Sequence, residues 1–188
     1  MFRVKRRMIV TVSAVTAVLF AGALTATLLT QGKGNATNSV EYAAGQRPLL
    51  PDFTGTSLTG DPVKLSGYRG QTVVLNFWGS WCSPCREEAP TLALLAKQDS
   101  AKGVAFLGDD VSDTPANALA FTGKENIPYR SINDQGSAVA GQISQVVPVK
   151  DTPTTVVIDK TGHVAAFIVG TVSYGQLSTF ITDAAVTK

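Results

Sequence analysis

Two rhythms of apolar positions alternate along the chain. Val73-Val74-Leu75-Asn76-Phe77-Trp78 is a short, nearly unbroken apolar run rich in β-branched and aromatic residues, the pattern of a buried strand. From Ser83 to about Lys97 the apolar residues Ala89, Leu92, Leu95 and Ala96 recur at helical spacing. Val104-Ala105-Phe106-Leu107-Gly108 reads as a second strand, and Pro115 to Glu125 as a second helix. Asp113 or Thr114 suits its N-cap, with Pro115 in the first turn. A short strand at Tyr129–Ile132 and a short helix at Ser137–Gln142 follow. Thr154 to Asp159 is a third buried strand, Lys160-Thr161-Gly162 a turn, and His163 to Val169 a strand pairing back as a hairpin. Ser173 to Val186 closes the chain as a helix. Strands and helices alternate, then a hairpin and a helix follow, which predicts an α/β fold. Its mixed sheet has a parallel core and an antiparallel edge hairpin, with helices on both faces.

The N-terminal part is patterned differently. No charged residue occurs from Met8 to Gly32, a run of 25, and the cluster Arg3, Lys5, Arg6 and Arg7 precedes it. A signal-peptide core has about 7–15 apolar residues, and a membrane helix needs roughly 20. The length favours a signal anchor over residues 1–30. The alternative is a signal peptide cleaved near Ala21-Gly22-Ala23. In both cases the basic end stays in the cytoplasm and the body lies outside. Residues 31–45, rich in Gly, Asn and Thr at their start, are expected to be a flexible tether, and residues 46–188 the domain.

Charge narrows the class of partner. The net charge of the 188 residues is +2, but from Asn35 on there are eleven Lys/Arg and fourteen Asp/Glu, a net of −3. A mildly acidic body argues against nucleic-acid binding. One His and two Cys are too few for a common Cys/His zinc site or for a disulfide scaffold. His163 sits beside a turn, where an exposed structural role is expected.

The two cysteines carry the candidate chemistry. Trp81-Cys82-Ser83-Pro84-Cys85 places them two residues apart, directly after a buried strand and at the start of a helix. A helix N-terminus offers partial positive charge and free N–H groups that stabilise a thiolate. In such motifs thiol pKa values fall to roughly 3.5–7.5, from about 8.5 when free. Cys82 is expected to be the exposed nucleophile and Cys85 the more buried thiol that resolves the mixed disulfide. A plain stabilising role fits less well, because so short a loop gains little from cross-linking. Pro84 suits the first turn, where no N–H is needed.

The run Asn76 to Pro90, NFWGSWCSPCREEAP, resembles the thioredoxin superfamily and most of all its membrane-associated TlpA/ResA-like branch, a redoxin domain of the AhpC-TSA kind. Further likenesses are Pro90 within the helix, Thr152-Pro153 before the third strand, Leu50-Pro51-Asp52-Phe53 with Lys64-Leu65-Ser66 at the start, and an extra stretch near Asp113 to Asp134. The resemblance spans about Pro48 to Ala184. It implies a thioredoxin-like fold, a cis Thr152–Pro153 bond, and Thr152 backbone free to pair with an extended substrate. Trp81 and Pro84 would form the rim of that groove, and Trp78 would be core. Plain thioredoxins carry a buried Asp six residues before the first Cys, where this chain has Asn76. Glu88, three residues past Cys85, matches a Glu that the branch uses near its site. At i,i+3 it would share a helix face with Cys85 and exchange its proton.

These features give an extracytoplasmic thiol:disulfide oxidoreductase, expected to act as a reductant and to serve cytochrome c maturation. No cofactor is expected beyond the redox-active Cys82–Cys85 disulfide. Partners would be proteins with thiols or disulfides, a membrane donor or acceptor of electrons, and the membrane itself through the N-terminal segment. The main alternative is an oxidase forming disulfides in secreted proteins. A peroxiredoxin-type peroxidase and a redox-inert binding module or metal carrier fit the motif less well.

Overall fold

A computed structural model describes residues 38–186. The expected signal anchor or signal peptide, residues 1–30, and the first part of the tether lie outside the described residues. Among the described residues no helix is long and apolar enough to cross a membrane.

The body is a six-stranded mixed sheet with a separate two-stranded hairpin. Its strands are β1 (Asn38–Glu41), β4 (Thr72–Trp78), β5 (Val104–Val111), β6 (Ser131–Asp134), β7 (Thr154–Ile158) and β8 (Val164–Val169). The hairpin is β2 (Thr54–Thr56) with β3 (Pro62–Lys64). The helices are α1 (Ser83–Asp99), α2 (Pro115–Lys124), α3 (Ala138–Ile143) and α4 (Tyr174–Ala185). Strand order is β1-β8-β7-β4-β5-β6. β4 runs parallel to β5, and β5 to β6, while β7, β8 and β1 add on antiparallel.

β4 is central and all seven of its residues are buried. A strand covered on both faces must be apolar throughout, which is why its sequence shows no alternation. On one face Leu75, Phe77, Leu107 and Val156 pack with α3 and the hairpin. On the other, Val74, Phe106 and Val157 pack beneath Leu92 and Leu95 of α1 and Leu177 and Phe180 of α4. Trp78 is core, as expected, with its ring 4.9 Å from that of Phe121 on α2.

Four differences from the sequence reading have physical causes. Asn38–Glu41, within the expected tether, form the edge strand β1, with Asn38 opposite Val169 and Val40 opposite Phe167. An edge strand needs only one paired side, so its sequence can stay polar. β5 runs on through Asp109, Asp110 and Val111, three residues beyond the expected end. β6 is Ser131–Asp134 rather than Tyr129–Ile132, because Tyr129 packs on Phe106 from the loop ahead. The hairpin β2–β3 did not stand out in the sequence, being three residues a strand.

Candidate active site

β4 ends at Trp78, and α1 begins four residues past Gly79. Between them lie Gly79, Ser80, Trp81 and Cys82. Cys82 is itself the N-cap of α1, and its sulfur accepts the N–H of Cys85 at 3.2 Å. The helix therefore aims its free N–H groups at this sulfur, as thiolate stabilisation requires. The two cysteines are joined by a disulfide, with Cα atoms 5.3 Å apart.

Exposure does not separate the two sulfurs. Cys82 is 4% and Cys85 3% exposed, so the expectation of an exposed Cys82 is corrected. Position distinguishes them instead. Cys82 Sγ lies 3.6 Å from the carbonyl oxygen of Thr152. A disulfide sulfur has no proton to donate, so in this state that is a contact rather than a hydrogen bond. Cys85 lines a small internal cavity of about 10 Å³ with Asn76, Trp78 and Tyr129.

The Thr152–Pro153 bond is cis. Thr152 is half-buried and Pro153 buried, and the Pro153 carbonyl accepts Gly170 N–H at 2.8 Å. Trp81 stands 55% exposed, with its indole N–H on the Val111 carbonyl at 3.3 Å. It forms a ridge between two clefts. One, of about 330 Å³, is lined among others by Ser112, Ser137, Lys150, Asp151 and Thr152. The other, about 550 Å³ and open, is lined by Ser80, Asp113, Asn117 and Gln135. Pro84 is exposed on the first turn of α1 and lines neither cleft. His163 lies beyond the far end of β7, bonded to Thr161.

Beneath the pair, Glu88 is 1% exposed. Its Oε1 accepts from Asn76 Nδ2 at 2.8 Å and its Oε2 from Val172 N–H at 2.9 Å. Asn76 is held in turn by Thr155 Oγ1 at 3.0 Å. Burial pushes the Glu88 carboxyl up to about 7, against the downward pull of its two donors. Asn76 is thus the clamp that fixes a titratable carboxyl one helical turn from Cys85. The strand period places Asn76 on the face covered by α1, but nothing in the sequence pairs it with Glu88. Asp113 was also missed, having been read only as a cap candidate. Thr114 caps α2, and Asp113 accepts Ser80 N–H at 2.8 Å. No cluster of three or more metal-ligating side chains occurs among the described residues.

Residues 48–167 match the model of the AhpC/TSA family. The chain is 32% identical over 131 residues to the thiol-disulfide oxidoreductase ResA of Bacillus cereus, covering 70% of this chain and 73% of that one. A DsbF homologue from Corynebacterium diphtheriae superposes with a TM-score of 0.73 at 32% identity, over 80% of this chain and 96% of its own. A secreted thiol-disulfide isomerase from Corynebacterium glutamicum gives a TM-score of 0.74 at 30% identity, over 82% and 96%. With a Cys-x-x-Cys pair at the head of α1 in a thioredoxin-like sheet, the chain belongs to the AhpC/TSA family and is a thiol–disulfide oxidoreductase of the ResA type.

Proposed function

We propose that the protein works outside the cytoplasm as a reductant of protein disulfides, tethered by its N-terminal segment, with the haem-binding cysteines of apocytochromes c as a substrate class. The observation that carries the direction is Glu88, a buried carboxyl one turn beneath the pair. A strong oxidant gains its potential from a stabilised thiolate in the reduced form. A carboxylate under the sulfurs works the other way, raising the free energy of the thiolate and favouring electron donation.

In the reductive cycle the Cys82 thiolate attacks a substrate disulfide. A mixed disulfide forms and one substrate sulfur leaves as thiolate. Cys85 gives its proton to Glu88 and attacks Cys82 Sγ, displacing the second substrate sulfur as thiolate. Two electrons have then passed to the substrate, leaving the Cys82–Cys85 disulfide, which a membrane dithiol donor reduces again. Trp81 borders the substrate groove, with Pro84 on the outer rim, and the Thr152 backbone before Pro153 pairs with the substrate chain.

The opposite direction, disulfide formation or isomerisation in secreted proteins, draws support from the Cys85 N–H aimed at Cys82 Sγ. The potential of the full chain in thiol redox buffers decides. A value below about −220 mV supports the reductant, and one above about −150 mV overturns it in favour of the oxidant.

A further inference from the structure

The loop carrying the cysteines is tied to the one that follows β5. Asp113 accepts Ser80 N–H at 2.8 Å and Thr114 N–H at 2.7 Å, while the Val111 carbonyl receives the Trp81 indole. Between these two anchors Ser112 is held left-handed, with φ 55°. Asp110, three residues before Asp113, is 0% exposed, and neither of its carboxyl oxygens has a partner among the described residues. The carboxyl it faces is that of Asp113.

Two carboxyls in contact cannot both ionise cheaply, so one keeps a proton. The donors decide which. Asp113 has donors from Ser80, Thr114 and Asn117, Ser80 foremost, and is held below the usual carboxylate range by them, in spite of its burial. Asp110 has none, and burial followed by Asp113 pushes it up to about 7. The surroundings supply no opposing cation to Asp110. From β4 and β6, Trp78, Ser131 and Asn133 share its face, all uncharged. From α2, the buried residues are Ala118 and Phe121. From α1, Arg86 donates to the Ser80 carbonyl at 2.9 Å. Asp109 points to the opposite face with Asp134, where burial, then Asp134 and Asp110, push it up to about 9.

We propose that Asp110 and Asp113 are positioning residues: the proton of Asp110 is donated to Asp113, and the pair locks Ser80 and Trp81 in the place where substrate meets Cys82. When Asp110 ionises, like charges face one another, Asp113 is driven off Ser80, and Trp81 is released. The lock is closed in acid and opens as the pH rises through neutrality. Its role rests on the reading that Trp81 borders the substrate groove.

The test uses the oxidised full chain, in which no thiol titrates. The sequence has two Trp, so Trp78→Phe leaves Trp81 as the only reporter. Its emission should show one step near neutrality over about pH 5 to 9. Asp110→Asn keeps an N–H donor toward Asp113 but has no proton to lose, so the step should vanish. Glu88→Gln should leave it in place. Asp113→Ala should hold the emission at its alkaline value at every pH. It should also raise KM for a protein substrate roughly tenfold, a far larger change than in reaction with dithiothreitol. A step that follows Glu88 instead of Asp110, or no step, overturns the proposal. Should Asp110→Asn fail to fold, infrared difference spectra of the oxidised Glu88→Gln protein between about pH 6 and 8, above the range of exposed carboxyls and below that of Asp109, must still show a protonated carboxyl being lost, and its absence overturns the proposal. A Trp81 step in a protein that exchanges no disulfides would sink the functional reading and leave the lock standing.

Discussion

Two carboxyls are buried at opposite ends of β7, and they are treated in opposite ways. At one end Asp159 receives Thr161 N–H, the Thr161 hydroxyl, His163 N–H and the Arg47 guanidinium, at 2.9, 2.7, 3.0 and 3.2 Å. Arg47 goes on to the Asp183 carbonyl at 2.9 Å, fastening the end of α4. These donors outweigh the cost of burial and hold Asp159 below the usual carboxylate range. At the other end Thr155 joins the Asn76–Glu88 cluster, where Glu88 has two donors and neither is charged. A fully supplied carboxylate is structural and stays ionised. An undersupplied one keeps its proton within reach of neutral pH and can trade it.

The largest expected effect falls on the supplied end. Arg47→Ala leaves the Asp159 charge buried and should cost about 3–5 kcal/mol in urea unfolding, with the exchange rate of the folded protein unchanged. If that rate falls in step, the two ends are not separable. Next is Glu88. Its folded pKa of about 7 lies above the 4.5 of a free Glu, so the folded state holds the extra proton. The stability it contributes is whole below about pH 4.5 and is lost as pH rises through 7, on the order of 3 kcal/mol. Glu88→Gln should abolish that part of the decline, as pH-dependent unfolding midpoints would reveal. It should also lower the thiol pKa values, measurable by the pH dependence of alkylation.

Asp159 has the opposite sign. Its stabilisation is present above the unfolded pKa and lost as pH falls through the lower folded one, so Asp159→Asn should blunt acid denaturation. The smallest stability effect belongs to Trp81, which is half out in solvent. Trp81→Ala should cost no more than about 1 kcal/mol of folding free energy. It should still raise KM for protein disulfides severalfold, and an unchanged KM would remove Trp81 from the groove.

The strands with the longest apolar runs, β4, β7 and β8, were legible because burial on both faces leaves no choice of residue. The apolar run ends at Gly108 while β5 continues through Asp109 and Asp110, and only the fold reveals that these two are buried. Gly108 itself is required by packing, since a Cβ there would collide with Ser131 Oγ and Trp78 Nε1. The cysteine pair was plain in the sequence because all its parts are contiguous. The Asn76–Glu88 clamp and the Asp113–Ser80 bond join residues 12 and 33 positions apart, so they appear only when strands and helix are assembled.

The register of β1 has a practical side. Asn38 pairs with Val169, Val169 with Thr154, and Thr154 with Phe77, so the chain enters the sheet at the end that carries the cysteines. It does so three strands from β4, about 14 Å away at the usual spacing. The close of α4, gripped by Arg47, lies at the opposite end. A fluorophore, affinity handle or surface attachment ahead of Asn38 therefore shares the approach used by incoming proteins. The same attachment behind Ala185 leaves that approach open, which makes the C-terminus the place to immobilise this enzyme for binding measurements.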